Sequence, residues 1–223
     1  MFFNYLVIKV KSIKYNTMKT KVFLFTLSFL ITINNNLIAD SPLTSTDISK
    51  AYKAKIIKKA TLCNGNINNN QILKFLSEKK NNIELKIAVI NEIGWDINGK
   101  NNSEIYFNYL KELNDFSSLD DFLNNADAET LICYAYIKSM DDYFHVDEAI
   151  SIAQVAKKRS NNSCCIHMIC SLIEAQKAQD IDWCTVYSIM DDVRKNKSLK
   201  KDIKPEAVEI IFNYIDLYKD YCK

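Results

Sequence analysis

Seven cysteines are the residues of this sequence most able to do chemistry. In an oxidising compartment cysteines pair, and an odd number leaves at least one thiol free or available to a partner. Cys170 and Cys184 flank a predicted helical turn, where a disulfide could join two facing helices. Cys133 competes for Cys170 from an equivalent position of an internal repeat, and a bond between Cys63 and Cys222 would connect the first and last predicted helices. We expect at least two disulfides, with the Cys170–Cys184 pair favoured.

The other chemistry-bearing residues do not favour a metal or catalytic site. Cys164, Cys165 and His167 lie close together, but the ligand spacings of structural zinc sites, such as C-x₂-C, do not occur. A Ser-His-Asp or Cys-His nucleophile would depend on one of two histidines. His145 precedes a predicted helix, and His167 lies in an apolar helical run, where a core role is favoured. No glycine-rich phosphate-binding motif occurs. We therefore expect no catalytic residue, no metal and no cofactor.

Aromatic residues form the candidate binding surface. Trp95 lies in the clearest predicted loop, at residues 94–102, and Tyr214, Tyr218 and Tyr221 recur at i, i+4 and i+7 on the last predicted helix. Tryptophan and tyrosine are typical interface anchors because they bury apolar area while keeping a hydrogen bond. The alternative is that Trp95 closes the end of the core and the tyrosines pack against the first helix.

Helical periodicity runs through the chain after residue 40. Apolar residues recur at three- and four-residue spacing, and three glycines and two prolines are few turn residues for a sheet. The segment 83–93 is apolar on most sides and is predicted to be a central, buried helix. We predict an all-α domain of about nine or ten helices. The segments are 46–62, 70–79, 83–93, 103–113, 118–123, 127–140, 146–159, 163–177, 182–196 and 205–221.

From about residue 127 the sequence is repetitive. A shift of 37 residues pairs Cys133 with Cys170 in one predicted helix and Ile152 with Ile189 in the next. One offset that matches both helices of a hairpin predicts stacked antiparallel α-hairpins, in an α-α superhelix or a repeat-like array. The glycine and tryptophan positions of tetratricopeptide repeats are missing, and a chance match of amphipathic helices is the alternative.

Residues 18–39 have the pattern of a secretory signal peptide. Lys19 and Lys21 form a basic start, residues 22–33 are mostly apolar, and cleavage is predicted before Asp40. The apolar run has 12 residues, whereas a helix needs about 20 to cross the hydrocarbon. An uncleaved anchor and a buried helix are the weaker alternatives.

The leader and the charge balance limit the partners of the mature protein. Translation is predicted to start at Met18, with residues 1–39 as leader and signal peptide and residues 40–223 as a single all-α domain. The whole chain has 29 basic and 27 acidic residues. Several lysines lie in the leader, so the mature part should be close to neutral or slightly acidic. We expect no nucleic-acid partner and no membrane association after signal cleavage.

These features predict a periplasmic or secreted, non-enzymatic helical protein that binds another protein. An inhibitor or immunity-type protein that neutralises a toxin is a specific version, by analogy with size and export. The alternative is an exported, hydrolase-like enzyme that uses paired acidic residues such as 120–121, 141–142 and 191–192. Helix capping and solvation explain these pairs more simply. A deep pocket with convergent polar groups would favour the enzyme, and a groove or flat aromatic patch would favour the binding protein.

Overall fold

A computed structural model describes residues 40–113 and 116–223, so the signal-peptide prediction lies outside the described residues. This part of the chain contains no β-strand, and a single isolated bridge joins Ser163 to Lys200. The predicted all-α fold class is confirmed. Two 3₁₀-helices, at Ile48–Ala51 and Asp216–Tyr221, accompany ten α-helices. The helices are α1 (Lys55–Thr61), α2 (Asn70–Ser77), α3 (Ile83–Ile93), α4 (Asn102–Glu112), α5 (Leu119–Asn125), α6 (Ala128–Asp141), α7 (Asp147–Arg159), α8 (Cys164–Ala178), α9 (Trp183–Lys195) and α10 (Pro205–Ile215).

Helix α6 lies at the centre of the described residues. Residues 131–137 of α6 are all buried, and the helix contacts α2, α3, α4, α7 and α8. A helix that is apolar on all sides is expected inside a core rather than at a surface. Helix α3 packs against α6 and buries Ile87, Val89 and Ile90, which confirms that residues 83–93 form a buried helix.

Four helices begin at capping residues that are recognisable in the sequence. Ser118, Asp127, Ser163 and Asp182 each accept a hydrogen bond from the backbone N–H three residues further on. A side-chain oxygen at this position satisfies one of the N–H groups that the first helical turn leaves unpaired. The starts of α5, α6, α8 and α9 therefore follow from local sequence.

The first predicted helix, at residues 46–62, is interrupted in the structure. The 3₁₀-helix ends at Ala51, residues 52–54 lie outside any helix, and α1 begins at Lys55. The Tyr52 side chain is buried, and its hydroxyl donates to the Glu84 carboxylate at 3.1 Å. The break thus positions Tyr52 against α3, a long-range contact that helical spacing alone does not reveal.

One lysine lies inside the core. The side chain of Lys86 on α3 is 2% exposed, and its Nζ lies 3.2 Å from a carboxylate oxygen of Glu129 on α6. A buried ammonium is costly unless a carboxylate or other acceptor partners it. This ion pair therefore joins two of the central helices.

Consecutive helices pack against one another in the C-terminal half, with α6 on α7, α7 on α8 and α8 on α9. This arrangement is compatible with a helical bundle or a helical repeat. Among the described residues, no helix combines the length and the apolar character needed to cross a membrane.

Candidate functional site

The candidate site is a cleft of about 550 Å³ between two loops. One loop joins α3 to α4, and the other joins α6 to α7. The first of them is the loop that the sequence predicted at residues 94–102. We call this site the two-loop cleft. It is lined by residues 96–101 of the first loop and residues 141–145 at the end of α6 and in the second loop.

Asp141, the last residue of α6, fixes the end of the first loop. Its two carboxylate oxygens accept the backbone N–H groups of Asn102 at 3.1 Å and Ser103 at 2.7 Å. Its backbone carbonyl accepts the N–H of Lys100 at 2.9 Å. The sequence predicted a helix that begins at residue 103. In the structure α4 begins at Asn102, and the capping carboxylate comes from α6.

Lys100 fixes the other end of the same loop. Its ammonium donates to the carbonyl oxygens of Ile93, the last residue of α3, at 3.1 Å and of Gly94, which follows it, at 2.8 Å. Burial lowers the pKa of Lys100. Gly99 has a positive φ of 76°, and a Cβ there would lie 3.2 Å from the Asp141 carbonyl. The loop is therefore held at both ends in one conformation.

Tyr143 and Phe144 are the aromatic residues that line the two-loop cleft, and Trp95 packs beside them from outside the lining. The half-buried Trp95 packs edge-on against Tyr143, with ring centroids 5.1 Å apart, and Phe144 lies 4.2 Å from Tyr143. The Tyr143 hydroxyl is buried and has no hydrogen-bond partner among the described residues. Buried polar groups usually form hydrogen bonds, so this hydroxyl without a partner is unusual for a protein interior. Ile97 and Phe144 are 57% and 58% exposed.

Protonation of Asp141 should affect stability in an unusual direction. Burial raises the pKa of the Asp141 carboxyl, and the N–H groups of Ser103 and Asn102 oppose this effect. Because the folded-state pKa lies above the unfolded value, the folded protein holds this proton more tightly. The contribution of Asp141 to stability is therefore lost as pH rises through the window between these two pKa values.

The variant Asp141→Asn isolates this effect, because its side chain does not titrate. An amide cannot accept both N–H groups, so we expect it to cost about 1–3 kcal/mol in the free energy of unfolding at neutral pH. Urea unfolding of both proteins should show this cost shrinking as pH rises from the acidic range. A cost that grows with pH through that window would contradict the raised pKa.

The structure corrects the predicted disulfide. Cys184 is bonded to Cys222, with their Cα atoms 4.8 Å apart. The turn of the hairpin lies between Ala178 and Trp183, so Cys184 is close to the turn. Cys170 lies about two helical turns deeper, and a rise of about 1.5 Å per residue separates the two cysteines by roughly 10 Å along the helices. The Cys170–Cys184 prediction is wrong for this reason.

The remaining five cysteines are free thiols. Neither Cys133 nor Cys63 forms the predicted alternative bonds, and one disulfide takes the place of the expected two or more. Cys133, Cys165 and Cys170 are buried, which accords with the role of free cysteine as a small core residue. Cys63 and Cys164 are partly exposed.

Alkylation should separate these thiols into two groups. Burial raises the pKa of Cys133 and of Cys170 to about 12, so both stay protonated and shielded at neutral pH. We expect iodoacetamide to modify Cys63 and Cys164 in the native protein, and all five free thiols only after unfolding. Peptide mass mapping checks this result. Early modification of Cys133 or Cys170 in folded protein would contradict the packing.

Two of the four predicted surface aromatics are buried. The Tyr218 ring stacks on Trp183 of α9 with centroids 4.2 Å apart, and its hydroxyl donates to that of Tyr214 at 2.7 Å. Tyr214 and Tyr218 therefore stabilise the contact between the chain end and α9 and do not present a surface. Tyr221 is exposed, and Trp95 is half-buried against Tyr143, outside the residues that line the two-loop cleft. A binding role for these two residues stays a prediction.

The histidines lie in different environments. His145 is exposed at the two-loop cleft, and its Nδ1 lies 2.9 Å from the Asp142 carboxylate. His167 on α8 is half-buried, and burial followed by the nearby charge of Lys157 lowers its pKa. Within residues 40–113 and 116–223, no group of three or more histidine, cysteine or acidic side chains is arranged to hold a metal ion.

No protein-family model, curated protein or solved structure matches this chain. The site is therefore argued from its own residues. Sequence reasoning identified Trp95 and its loop, and it named Asp141 only as part of an acidic pair for the alternative enzyme. It missed Tyr143 and Phe144. The available signal was the run from Asp141 to His145, where acidic and aromatic residues follow directly on a buried helix.

Proposed function

We propose that this chain is an exported, non-enzymatic helical protein that binds another protein through the two-loop cleft. The observation that carries the proposal is the exposure of Ile97 and Phe144 on opposite loops of one cleft. Large apolar side chains that border a shared concave surface are typical of interaction sites.

The hydrogen bonds that order the first loop also favour a binding role for the two-loop cleft. Asp141 and Lys100 hold the first loop through side-chain hydrogen bonds to backbone groups. A loop that is already ordered loses little conformational entropy when a partner binds. The two-loop cleft thus combines exposed apolar side chains with an ordered loop.

The proposal also covers the packing of the C-terminal helices, the kind of partner and the compartment. We infer that α6 to α9 form two stacked antiparallel hairpins, as the sequence repeat predicts. An inhibitor or immunity-type protein that neutralises a toxin is a specific version of this function, by analogy only. The Cys184–Cys222 bond supports an oxidising compartment, either periplasmic or extracellular.

Affinity capture with point variants tests the binding proposal. Purified residues 40–223 would be immobilised and exposed to extract and culture fluid of the source organism, and enriched proteins identified by mass spectrometry. The double variant Ile97→Ser with Phe144→Ser should lose the partner. Leu62→Ser is the matched control, because Leu62 is 79% exposed and lies outside the two-loop cleft. Equal capture by all three proteins, or no enriched protein, would contradict the proposal.

Export is tested separately by the mature N-terminus. Protein recovered from the culture fluid or periplasm of a native-like host should begin at Asp40 by N-terminal sequencing. Recovery of only full-length, membrane-embedded protein would contradict export. This result would leave the binding proposal to be judged by its own variants.

A further inference from the structure

A second cavity lies between α8, α9 and α10, apart from the two-loop cleft. Its volume is about 480 Å³. We call it the apolar groove, because side chains from all three helices and the segment between α9 and α10 form an apolar lining. These side chains are Met168, Val193, Leu199, Ile203, Val208 and Phe212.

Three cationic residues line the same groove, and one of them is already neutralised. Arg194 forms ion pairs with Asp191 at 2.6 Å and Asp216 at 2.9 Å, and its guanidinium lies 4.2 Å from the Phe212 ring centroid. These contacts hold the Arg194 side chain in the wall of the apolar groove. Its charge is therefore not available to a ligand.

Lys197 and Lys201 are the available charges. Both are exposed at the groove, and neither forms an ion pair within the part of the chain that the structure describes. An apolar lining beside two unpaired ammonium groups matches a ligand with an alkyl chain and one anionic end. Burial of the chain supplies affinity, and the charges supply orientation.

We propose that the apolar groove binds a single-chain fatty carboxylate. The alkyl chain lies on the apolar lining, and the carboxylate pairs with Lys197 and Lys201. A volume of about 480 Å³ falls in the range of small-molecule sites, roughly 300–1,000 Å³. This site is separate from the proposed protein-binding cleft, and its test does not depend on that function.

Cys164 provides a direct readout, because this partly exposed free thiol lines the groove. Alkylation by N-ethylmaleimide would be followed by mass spectrometry at mildly alkaline pH, with sodium dodecanoate below its micelle concentration. At saturation we expect dodecanoate to slow modification of Cys164 about tenfold. Cys63 is the internal control, because it is also partly exposed and lies outside the groove. Its rate should not change.

Chain length and head group test the two halves of the proposal. From octanoate to dodecanoate, each added methylene should tighten binding by up to about fourfold, the gain for complete burial. Dodecyltrimethylammonium has a comparable alkyl chain with the opposite charge, and it should protect Cys164 far less.

Variants at the groove separate ligand binding from folding. Lys197→Glu with Lys201→Glu should weaken dodecanoate binding about tenfold or more and leave dodecanol binding unchanged. Val208→Asp places a carboxylate in the lining and should abolish protection by dodecanoate. Asn213→Asp is its matched control, because it adds the same charge to an exposed position of α10 outside the groove. Circular dichroism would confirm that each variant folds.

Four results would contradict all or part of the fatty-carboxylate proposal. Unchanged alkylation of Cys164 in dodecanoate would overturn the proposal, and so would equal protection of Cys63. Equal protection by the cationic amphiphile would remove the role of the two lysines. Protection by a synthetic acidic amphipathic peptide but not by dodecanoate would replace the fatty carboxylate with a protein ligand.

Discussion

Replacing Cys184 and Cys222 together with serine should lower the free energy of unfolding by up to about 4 kcal/mol in the chain-entropy model. The bond joins residues 38 positions apart, so it restricts a long segment of the unfolded chain. It also connects the start of α9 to the end of the C-terminal 3₁₀-helix, Asp216–Tyr221, which packs on α9. We expect that 3₁₀-helix to be the first element to lose order in the variant.

Urea unfolding followed by circular dichroism measures this loss, with oxidised wild-type protein as the reference. The matched control is Cys63→Ser with Cys164→Ser, which removes two partly exposed free thiols and leaves the bond intact. That control should unfold within about 0.5 kcal/mol of the wild type, as surface substitutions usually do. The disulfide assignment would be refuted by equal stability of oxidised and reduced wild-type protein, or by a different linkage in non-reduced peptides.

The variant Glu129→Ala should lower the free energy of unfolding by about 2–4 kcal/mol, although Glu129 itself is 40% exposed. The loss arises at Lys86, because its buried ammonium would lose the carboxylate that lies 3.2 Å away. Glu148→Ala is the control, since Glu148 forms an ion pair with Lys138 at 3.0 Å nearer the surface. Removal of that surface pair should cost less than about 1 kcal/mol.

A double-mutant cycle shows whether the loss belongs to the ion pair. In the Lys86→Met background there is no buried charge to leave unpaired, so Glu129→Ala should then cost less than about 1 kcal/mol. Lys86→Met alone should be close to neutral, because methionine fills a similar volume without the desolvation cost. An equal cost of Glu129→Ala in both backgrounds would show that the carboxylate acts through other contacts.

Much of the fold could be predicted from sequence because its signals are local. Capping side chains at Ser118, Asp127, Ser163 and Asp182 mark helix starts within three residues of themselves. The buried helix at residues 83–93 followed from its own apolar pattern. The 52–54 break did not, because the contact between Tyr52 and Glu84 links segments that are distant in sequence.

The candidate site was less predictable for the same physical reason. The loop at residues 94–102 stood out in the sequence, but the residues that form the other wall of the two-loop cleft come from the far end of α6 and the loop after it. The cap that Asp141 provides to α4 spans 38 residues and leaves no local pattern. The disulfide error has a different source. A shift of a few residues in the predicted turn moves a helical cysteine to another height and another face.

The burial of α6 has a consequence for motion as well as packing. Loops and chain ends can open while the rest of a protein stays native, whereas a segment enclosed by several neighbours is released only when those neighbours separate. Amide hydrogens of residues 131–137 should therefore exchange with solvent deuterium only through global unfolding. Their slowest exchange rates would report the full conformational stability of residues 40–223. Every amide that exchanges faster would report a local opening with a smaller free energy.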